Sequence, residues 1–225
     1  LTSLGGSINP SITGNIITGA DPSTKLVSGY HLWHNTTTAA DGITIQGGSV
    51  TNVDYGIWIN NWDGYPTTGG SNAGYTKAKI DGITITEADL AGVYLKDNPL
   101  NTSGASAFVY AKLTNSTISG SGTGILVEGD DASSDVIDNP ATITGNQFGI
   151  VVKDGADLAS VTGNTITNNT HGGIIIESTA STIGVINNNT ISGNGYTVDA
   201  THGLGLKNEL SASVDAQNNW WGDAS

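Results

Sequence analysis

Residues 142–177 read TITGNQFGIVVKDGADLASVTGNTITNNTHGGIIIE, and this stretch contains each of two phrases twice. The phrase TIT at residues 142–144 returns at residues 165–167, and GIVV at residues 149–152 returns as GIII at residues 173–176. The two spacings are 23 and 24 residues. A period of this length is too short for a domain and is typical of one turn of a solenoid.

A phrase of the form Thr/Ser–apolar–Thr/Ser recurs along most of the chain. Alternation along a β-strand puts the central Ile or Val of each phrase toward a core and both hydroxyl side chains outward. A Gly or Asn turn usually follows the phrase, and these residues accept a positive φ at little cost. The predicted turns are Gly120, Gly145-Asn146, Asn168-Asn169 and Gly193-Asn194. Six consecutive units carry the phrase, with the central residues Val50, Ile85, Ile118, Ile143, Ile166 and Ile191.

Two further short strands complete each predicted coil. One begins just after a Gly and opens with Ile57, Val93, Ile125, Ile150, Ile174 and Leu204. The other precedes the Thr phrase, at residues 43, 80–83, 109–113, 136–137, 158–161 and 185–186. Like positions lie one coil apart, as parallel stacking requires and sequential hairpins do not. The sequence therefore predicts an all-β fold, a single-stranded parallel β-helix (solenoid) of about eight coils with three short strands per coil.

The two ends of the chain depart from this repeat. Residues 1–41 are the least regular part, and we expect them to form an N-terminal coil and cap over the open end of the core. Residues 42–225 are predicted to form the repeats, in one domain, with Trp220 and Trp221 finishing the core in a terminal coil. Because Met is absent even at position 1, we interpret the chain as a mature or excised part of a larger protein.

The charge balance excludes several classes of partner. The chain has 20 carboxylates against seven basic residues, all of them Lys, and a net charge of -13. Nucleic-acid binding and attachment to an anionic membrane both need a basic surface, so neither is expected. No run approaches the ~18 apolar residues of a membrane span, so we expect no membrane insertion in this segment.

The phrases GNTITNNTHGGIIIE, NNNTISGNG and AQNNWWGD resemble the right-handed parallel β-helix repeats of the pectin-lyase-like superfamily. The resemblance covers residues 42–223, and the last phrase is similar to the closing phrase of many secreted repeat proteins of this type. It implies a right-handed solenoid at an extracellular or cell-surface location. The superfamily includes lyases, hydrolases, epimerases, phage spikes and surface adhesins, so the resemblance leaves the activity open.

Stacking turns each position of the repeat into a column. The residues one after each opening residue are predicted to face outward as an exposed apolar stripe, formed by Trp58, Tyr94, Leu126, Val151, Ile175 and Gly205. Such a stripe is covered by another part of the chain, contacts a second chain or supports sugar rings. The residues three after each opening residue are predicted to form a ladder of alternating charge, with Asn60, Lys96, Glu128, Lys153, Glu177 and Lys207.

The corner after the Gly-Ile strand carries the long insertions, at residues 60–79, 96–108 and 128–135. Together with Trp58 and Tyr94, they offer the aromatic residues Trp62, Tyr65 and Tyr75 and the carboxylates Asp63, Asp97, Asp130 and Asp131. Aromatic faces beside carboxylates favour a carbohydrate site. Asp130 and Asp131 could also help to hold calcium through their oxygen atoms, although an acidic surface loop is the simpler explanation of the pair.

The catalytic signatures of the resembled enzymes are incomplete. The segments GDD at residues 129–131 and HG at residues 171–172 are similar to two polygalacturonase motifs, but the chain has no Arg and so no Arg-Ile-Lys motif. Pectate lyases also need a basic proton acceptor, commonly Arg. The weak catalytic candidates are Asp97, Asp130, Asp131 and His171. Two carboxylates at a suitable separation could still cleave a glycosidic bond.

Two main functions follow from these features. The first is an extracellular structural or adhesive module that contacts other copies, surface proteins or polysaccharide through the apolar stripe and the corner loops. The second is a polysaccharide-active enzyme, a lyase or glycoside hydrolase, or a carbohydrate-binding β-helix. The outward threonines also resemble the ice-binding face of some β-helical antifreeze proteins, which gives a minor third alternative.

Overall fold

The structure is a computed structural model that describes residues 11–19, 26–33, 42–61, 76–97, 109–129, 132–138, 140–195 and 204–222. The described part of the chain contains β-strands and no helix. In chain order the strands are β1 (Ser11–Thr13), β2 (Ile16–Thr18), β3 (Leu26–Trp33), β4 (Ile43–Gln46), β5 (Ser49–Asn61), β6 (Thr76–Asp81), β7 (Thr84–Asp97), β8 (Val109–Thr114), β9 (Thr117–Ser119), β10 (Thr123–Glu128), β11 (Ala132–Asp138), β12 (Thr142–Thr144), β13 (Phe148–Lys153), β14 (Asp157–Thr162), β15 (Thr165–Thr167), β16 (Gly172–Ile176), β17 (Ile183–Asn187), β18 (Thr190–Ser192) and β19 (Leu206–Asn208).

The strands form three faces of a parallel solenoid. Face 1 is a seven-stranded sheet in the order β1-β4-β6-β8-β11-β14-β17. Face 2 contains the short Thr phrases, in β2, β9, β12, β15, β18 and the first residues of β5 and β7. Face 3 contains β3, β10, β13, β16, β19 and the last residues of β5 and β7. The predicted all-β parallel β-helix, with three strands per coil, is confirmed.

The core consists of inward columns from all three faces. On face 2, Ile143 pairs with Ile166 and Ile166 pairs with Ile191, so these residues form the interior column that the repeat predicts. The corresponding column of face 1 contains Ile45, Ile80, Leu113, Ile137, Val161 and Ile186, and that of face 3 contains Ile57, Val93, Ile125, Ile150 and Ile174. All these residues are buried in one continuous cluster, which supplies the main stabilising term of the fold.

Face 2 is short because a left-handed residue turns the chain at each of its ends. Gly163 (φ 69°) and Asn188 (φ 58°) precede the Thr phrase, and Gly145 (φ 67°), Asn168 (φ 56°) and Gly193 (φ 63°) follow it. Gly and Asn tolerate this conformation better than other residues. Of each predicted two-residue turn, only the first residue has a positive φ. The second residues, Asn146, Asn169 and Asn194, lie in the corners without the left-handed conformation, and they are buried.

Two ladders of buried polar side chains line the inner side of these corners. In the first ladder, Nδ2 of Asn164 donates to Oδ1 of Asn189 at 3.2 Å and to the carbonyl of Ile137 at 2.6 Å. Asn189 repeats this contact with Asn219 at 2.9 Å. Because both hydrogens of each amide are used, these groups meet the requirement that buried polar atoms be hydrogen-bonded.

The second ladder follows the Thr phrase. Nδ2 of Asn146 donates to Oδ1 of Asn169 at 3.0 Å, and Nδ2 of Asn169 donates to Oδ1 of Asn194 at 2.9 Å. In an earlier coil serine takes the equivalent place in both ladders. The hydroxyl of Ser116 accepts from the Ile83 N–H in the first ladder, and that of Ser121 accepts from the Ala88 N–H in the second. From the coil of Ile83 onward, the ladders tie successive coils together from inside.

The Gly before each opening residue of face 3 is required by space rather than by φ. A Cβ on Gly149 would collide with the carbonyl of Gly173 and lie 2.9 Å from Cγ2 of Ile166 in the next coil. A Cβ on Gly124 would lie 2.5 Å from Cγ2 of Ile143. The inward column of face 2 therefore fills the room that these glycines leave empty.

The register of the last coil differs from the prediction. Leu206, and not Leu204, pairs with Ile174, so that Lys207 pairs with Ile175. The segment between face 2 and face 3 is longer in this coil than in the preceding ones, and the repeat length gave no sign of the shift. At the other end, β1 and β3 pair in parallel with β4 and β5, so the described N-terminal strands belong to the same sheets as the repeats.

Candidate functional site

The residue after each opening residue of face 3 forms an outward column, called here the outer apolar column. Its members pair one above the other in the order His31, Trp58, Tyr94, Leu126, Val151 and Ile175. Their neighbours Ile57 and Ile59 belong to the core cluster, whereas the column residues do not. Successive side chains of a strand point to opposite sides, so the column lies on the outer wall.

The first three residues of the column form an aromatic stack. The rings of His31 and Trp58 are 4.4 Å apart and nearly parallel, at 9°. On the other side of Trp58 the ring of Tyr94 lies at 6.2 Å and 15°, and Tyr55 packs on Tyr94 at 5.0 Å. The register places His31 and Tyr94 on opposite faces of the indole, so both faces of Trp58 are next to other rings.

The predicted exposure of this column is wrong for three of its residues. Tyr94 is 6% exposed, and Val151 and Ile175 are each 8% exposed. Side chains stacked at one strand spacing cover each other, and Ile175 also lies over Gly172, where a Cβ would come within 2.8 Å of its Cδ1. Trp58 and Leu126 are half-buried. The sixth predicted position, Gly205, is replaced in the column by Lys207.

The ladder of alternating charge exists in the middle coils. Nζ of Lys96 donates to Glu128 Oε1 at 2.6 Å, and Nζ of Lys153 lies 3.5 Å from Glu128 Oε2. The hydroxyl of Tyr94 donates to the same carboxylate at 3.0 Å. The predicted place of Lys207 in the ladder is wrong, because the register shift pairs it with Ile175 and its ammonium binds Glu209.

Glu128 and Tyr94 titrate away from their ordinary ranges. Partial burial works to raise the pKa of Glu128, but the hydrogen bonds from Lys96 and Tyr94 and the charge of Lys153 outweigh it and hold the pKa below its usual value. Burial, followed by the charge of Glu128, raises the pKa of the Tyr94 phenol. Burial also raises the pKa of Tyr55, with a contribution from the charge of Asp54. The carboxylate is therefore held charged and the phenols neutral.

The outer side of face 2 carries two columns of hydroxyl side chains, as the Thr phrase predicts. The first contains Ser49, Thr84, Thr117, Thr142, Thr165 and Thr190, and the second contains Thr18, Thr51, Thr86, Ser119, Thr144, Thr167 and Ser192. Neighbouring hydroxyls of the second column bond each other, at 2.8 Å between Thr51 and Thr86 and 3.2 Å between Thr144 and Thr167.

A family comparison agrees with this architecture. The family model described as "Right handed beta helix region" matches residues 67–221. The chain belongs to this right-handed β-helix family. No curated protein and no solved structure matches the chain. Family membership gives the handedness of the solenoid but does not identify a ligand or an activity.

The β-helix keeps its described catalytic candidates apart. Asp97 ends β7, is 4% exposed and packs against Gly129, where a Cβ would meet its backbone carbonyl at 2.7 Å. His171 directly precedes β16, which lies three strands further along face 3, or ~14 Å at the usual strand spacing. Its ring packs on Phe148 at 5.2 Å, and Nδ1 lies 3.0 Å from the Thr170 hydroxyl. Asp97 and His171 therefore cannot act on one bond.

Several predicted residues lie outside the described part of the β-helix, namely Trp62, Tyr65, Tyr75, Asp63, Asp130 and Asp131. The calcium site at Asp130 and Asp131 accordingly stays a prediction. Within the described ranges, no group of three or more His, Cys, Asp or Glu side chains is placed to hold a metal ion. The described residues also form no helix long and apolar enough to cross a membrane.

The sequence reasoning missed two features of the β-helix. The first Asn ladder was not predicted, and the Asn residues of the second ladder were expected only in turns, although their recurrence one residue after Gly145, Asn168 and Gly193 is visible in the sequence. The second feature is Trp220, which pairs with Thr190 and is 56% exposed on the outer side of face 2. Trp221 contacts the last coil, with its ring 2.9 Å from where a Cβ on Gly205 would lie, but its side chain is 45% exposed. Neither Trp220 nor Trp221 is therefore buried in the core as predicted.

Proposed function

We propose that this β-helix is a structural and adhesive module of an extracellular or cell-surface protein. The observation that supports it most directly is the unbroken stacking of the coils. Equivalent strands pair in parallel on all three faces, and the buried Asn and Ser ladders join the same coils from inside. Such a rod holds its outer side chains at fixed intervals of ~4.8 Å, which suits repeated contact with an extended partner.

The outer wall of face 3 strengthens the rod instead of offering a sugar platform. A pyranose ring stacks on a free aromatic face, and both faces of Trp58 are next to His31 and Tyr94. The indole Nε1 of Trp58 is buried without a hydrogen-bond partner among the described residues. The Lys96–Glu128–Lys153 ladder closes the same wall with ion pairs. Adhesion through this wall would need another copy or a surface protein rather than a stacked sugar.

The position of Asp97 argues against catalysis and so supports an attachment function. Asp97 is buried, and it is three strands away from His171. The polysaccharide-active alternative consequently rests on Asp130 and Asp131. Two acidic groups there would have to flank one glycosidic bond to cleave it.

The proposal is tested with the purified chain in three parallel assays. Sedimentation velocity and electron microscopy report self-association, and binding to intact cells and isolated cell walls reports adhesion. Incubation with neutral and uronate polysaccharides, with and without Ca²⁺, reports new reducing ends or unsaturated products. We expect attachment to cells, walls or other copies without any product. Inert monomers that attach to nothing, or steady release of cleavage products, would overturn the assignment.

A further inference from the structure

The outer side of face 2 is the most regular surface of the described chain. Each coil forms one level of this surface. The first column presents a hydroxyl at six successive levels, from Ser49 to Thr190, and the second column presents one at every level from Thr18 to Ser192. The levels are ~4.8 Å apart along the solenoid, and the two columns are ~7 Å apart across each strand. No residue of either column is ionisable.

Trp220 lies at the C-terminal end of the first column. Its backbone N–H donates to the Asn189 carbonyl at 2.8 Å, and its carbonyl accepts from the Ile191 N–H at 2.7 Å. This pairing continues the sheet by one residue and puts the Trp220 side chain on the same outer side as Thr190. The side chain is 56% exposed, so its ring is open to a ligand in a way that the ring of Trp58 is not.

Several hydroxyls of the second column are held in place and still able to bond. The pairs Thr51–Thr86 and Thr144–Thr167 share a hydrogen bond across successive levels. A hydroxyl has one donor and two acceptor positions, so each bonded pair keeps a donor and several acceptors for a further partner. Backbone pairing on both sides fixes the spacing between levels.

An exposed indole beside rows of neutral hydroxyls is the chemistry that recognises sugars, since the ring covers the apolar side of a pyranose and the hydroxyls bond its edge. The repetition suits a ligand that itself repeats along a line. A net charge of -13 repels an anionic chain, whereas a neutral one is not repelled. We propose that the outer side of face 2 binds a neutral linear polysaccharide that runs along the threonine columns, with one sugar ring stacked on Trp220. This inference rests on the proposed adhesive function and names the chemistry of its partner.

The test measures binding of the purified chain to microcrystalline cellulose, chitin and soluble mannan, with polygalacturonate as the anionic comparison. We expect retention by at least one neutral polysaccharide and none by polygalacturonate. Trp220→Ala is expected to weaken the binding about tenfold or more, as loss of an aromatic hot-spot contact does. Trp220→Tyr keeps a ring and should keep most of the binding.

Charge substitutions locate the site on the threonine columns. Thr165→Lys puts a long cation into the middle of the first column and should abolish binding. Ser181→Lys adds the same charge at an exposed position outside face 2 and should leave binding unchanged. Circular dichroism melts of each variant test whether the fold is retained. Thr165→Val is a second variant at the same position, and it replaces only the hydroxyl group.

The outcomes separate this inference from the proposed function. Polysaccharide binding that survives Trp220→Ala and Thr165→Lys would overturn the site and leave adhesion intact. Attachment to cells or to other copies without any polysaccharide binding would overturn the ligand. If Thr165→Lys instead abolishes shaping of ice crystals while no glycan binds, the periodic partner is ice and the inference fails. If the purified chain attaches to nothing, both proposals are wrong.

Discussion

The side-chain amide of Asn146 donates to Oδ1 of Asn169 one coil further on, at 3.0 Å, and the backbone N–H of Asn146 donates to the same oxygen at 3.1 Å. Oδ1 of Asn146 in turn accepts from the backbone N–H of Ser121 at 2.9 Å, and its Nδ2 also lies 3.3 Å from the Ile118 carbonyl. One buried side chain thus joins three successive coils. None of these groups can turn to water, because all are buried.

Replacement of Asn146 by Ala should therefore destabilise the fold. It leaves the buried Ser121 N–H without its acceptor and removes the side-chain donor to Oδ1 of Asn169. An unsatisfied buried group costs ~1–3 kcal/mol. We expect a loss of about 2–3 kcal/mol in the free energy of unfolding, measured by urea denaturation. The adjacent exposed residue gives a matched control, since Gln147→Ala should change stability by less than ~0.5 kcal/mol. Equal effects of the two substitutions would contradict the ladder.

Replacement of Gly149 by Ala should destabilise the fold by overpacking. The new methyl group meets the Gly173 carbonyl and the Ile166 side chain, and insertion of atoms into a packed interior costs ~1–3 kcal/mol. Gly145→Asn is the control, because Gly145 has a positive φ, a Cβ there meets nothing within 4 Å, and Asn168 occupies the same place one coil later. Thermal melts should show a clearly lower melting temperature for Gly149→Ala and little change in melting temperature for Gly145→Asn. The opposite order would show that the space at Gly149 is not required by the fold.

Glu128 should make stability depend on pH in the acid range. Its folded pKa lies below the usual value of about 4.3, so its contribution is present above about pH 5 and is lost as pH falls through the folded pKa. We expect Glu128→Gln to lower the melting temperature at pH 7, and the difference from the parent chain to shrink toward pH 3. Glu209→Gln removes an exposed partner of Lys207 and should lower the melting temperature far less. A pH-independent difference would show that the Glu128 charge has no role in folding.

Tyr94 should remain neutral where ordinary tyrosines ionise. Burial and the charge of Glu128 raise its folded pKa, so its contribution to stability is present below pH ~10 and declines as the unfolded chain ionises above that pH. In the native protein, Tyr94→Phe should leave the absorbance change of phenolate formation between pH 9 and about pH 11 unaltered. In urea, the same substitution should remove the signal of one of the seven tyrosines. Loss of signal in the native state would show that Tyr94 is open to solvent.

The repeat in the sequence determined the fold and much of its register. Hydrophobic alternation over three residues, repeated at one coil length, allows only one face of each strand to be buried, so Ile143, Ile166 and Ile191 had to share an interior column. The same logic placed Glu128 between Lys96 and Lys153. It failed at Leu204, because a longer connection moves the register without changing the local pattern.

Only the tertiary structure decided which outward residues are open to a ligand and which inward ones are polar. Exposure depends on what the neighbouring coils contribute: Tyr94 and Ile175 face outward yet are covered, whereas Trp220, assigned from sequence to the core, is exposed. Asn146 and Gly145 are equally good turn formers as residue types, and the direction of the corner alone makes the first a buried hydrogen-bonding group. The sequence pattern predicts on which side of a strand each side chain lies. The packing of side chains from different coils determines how much of each side chain remains in contact with water.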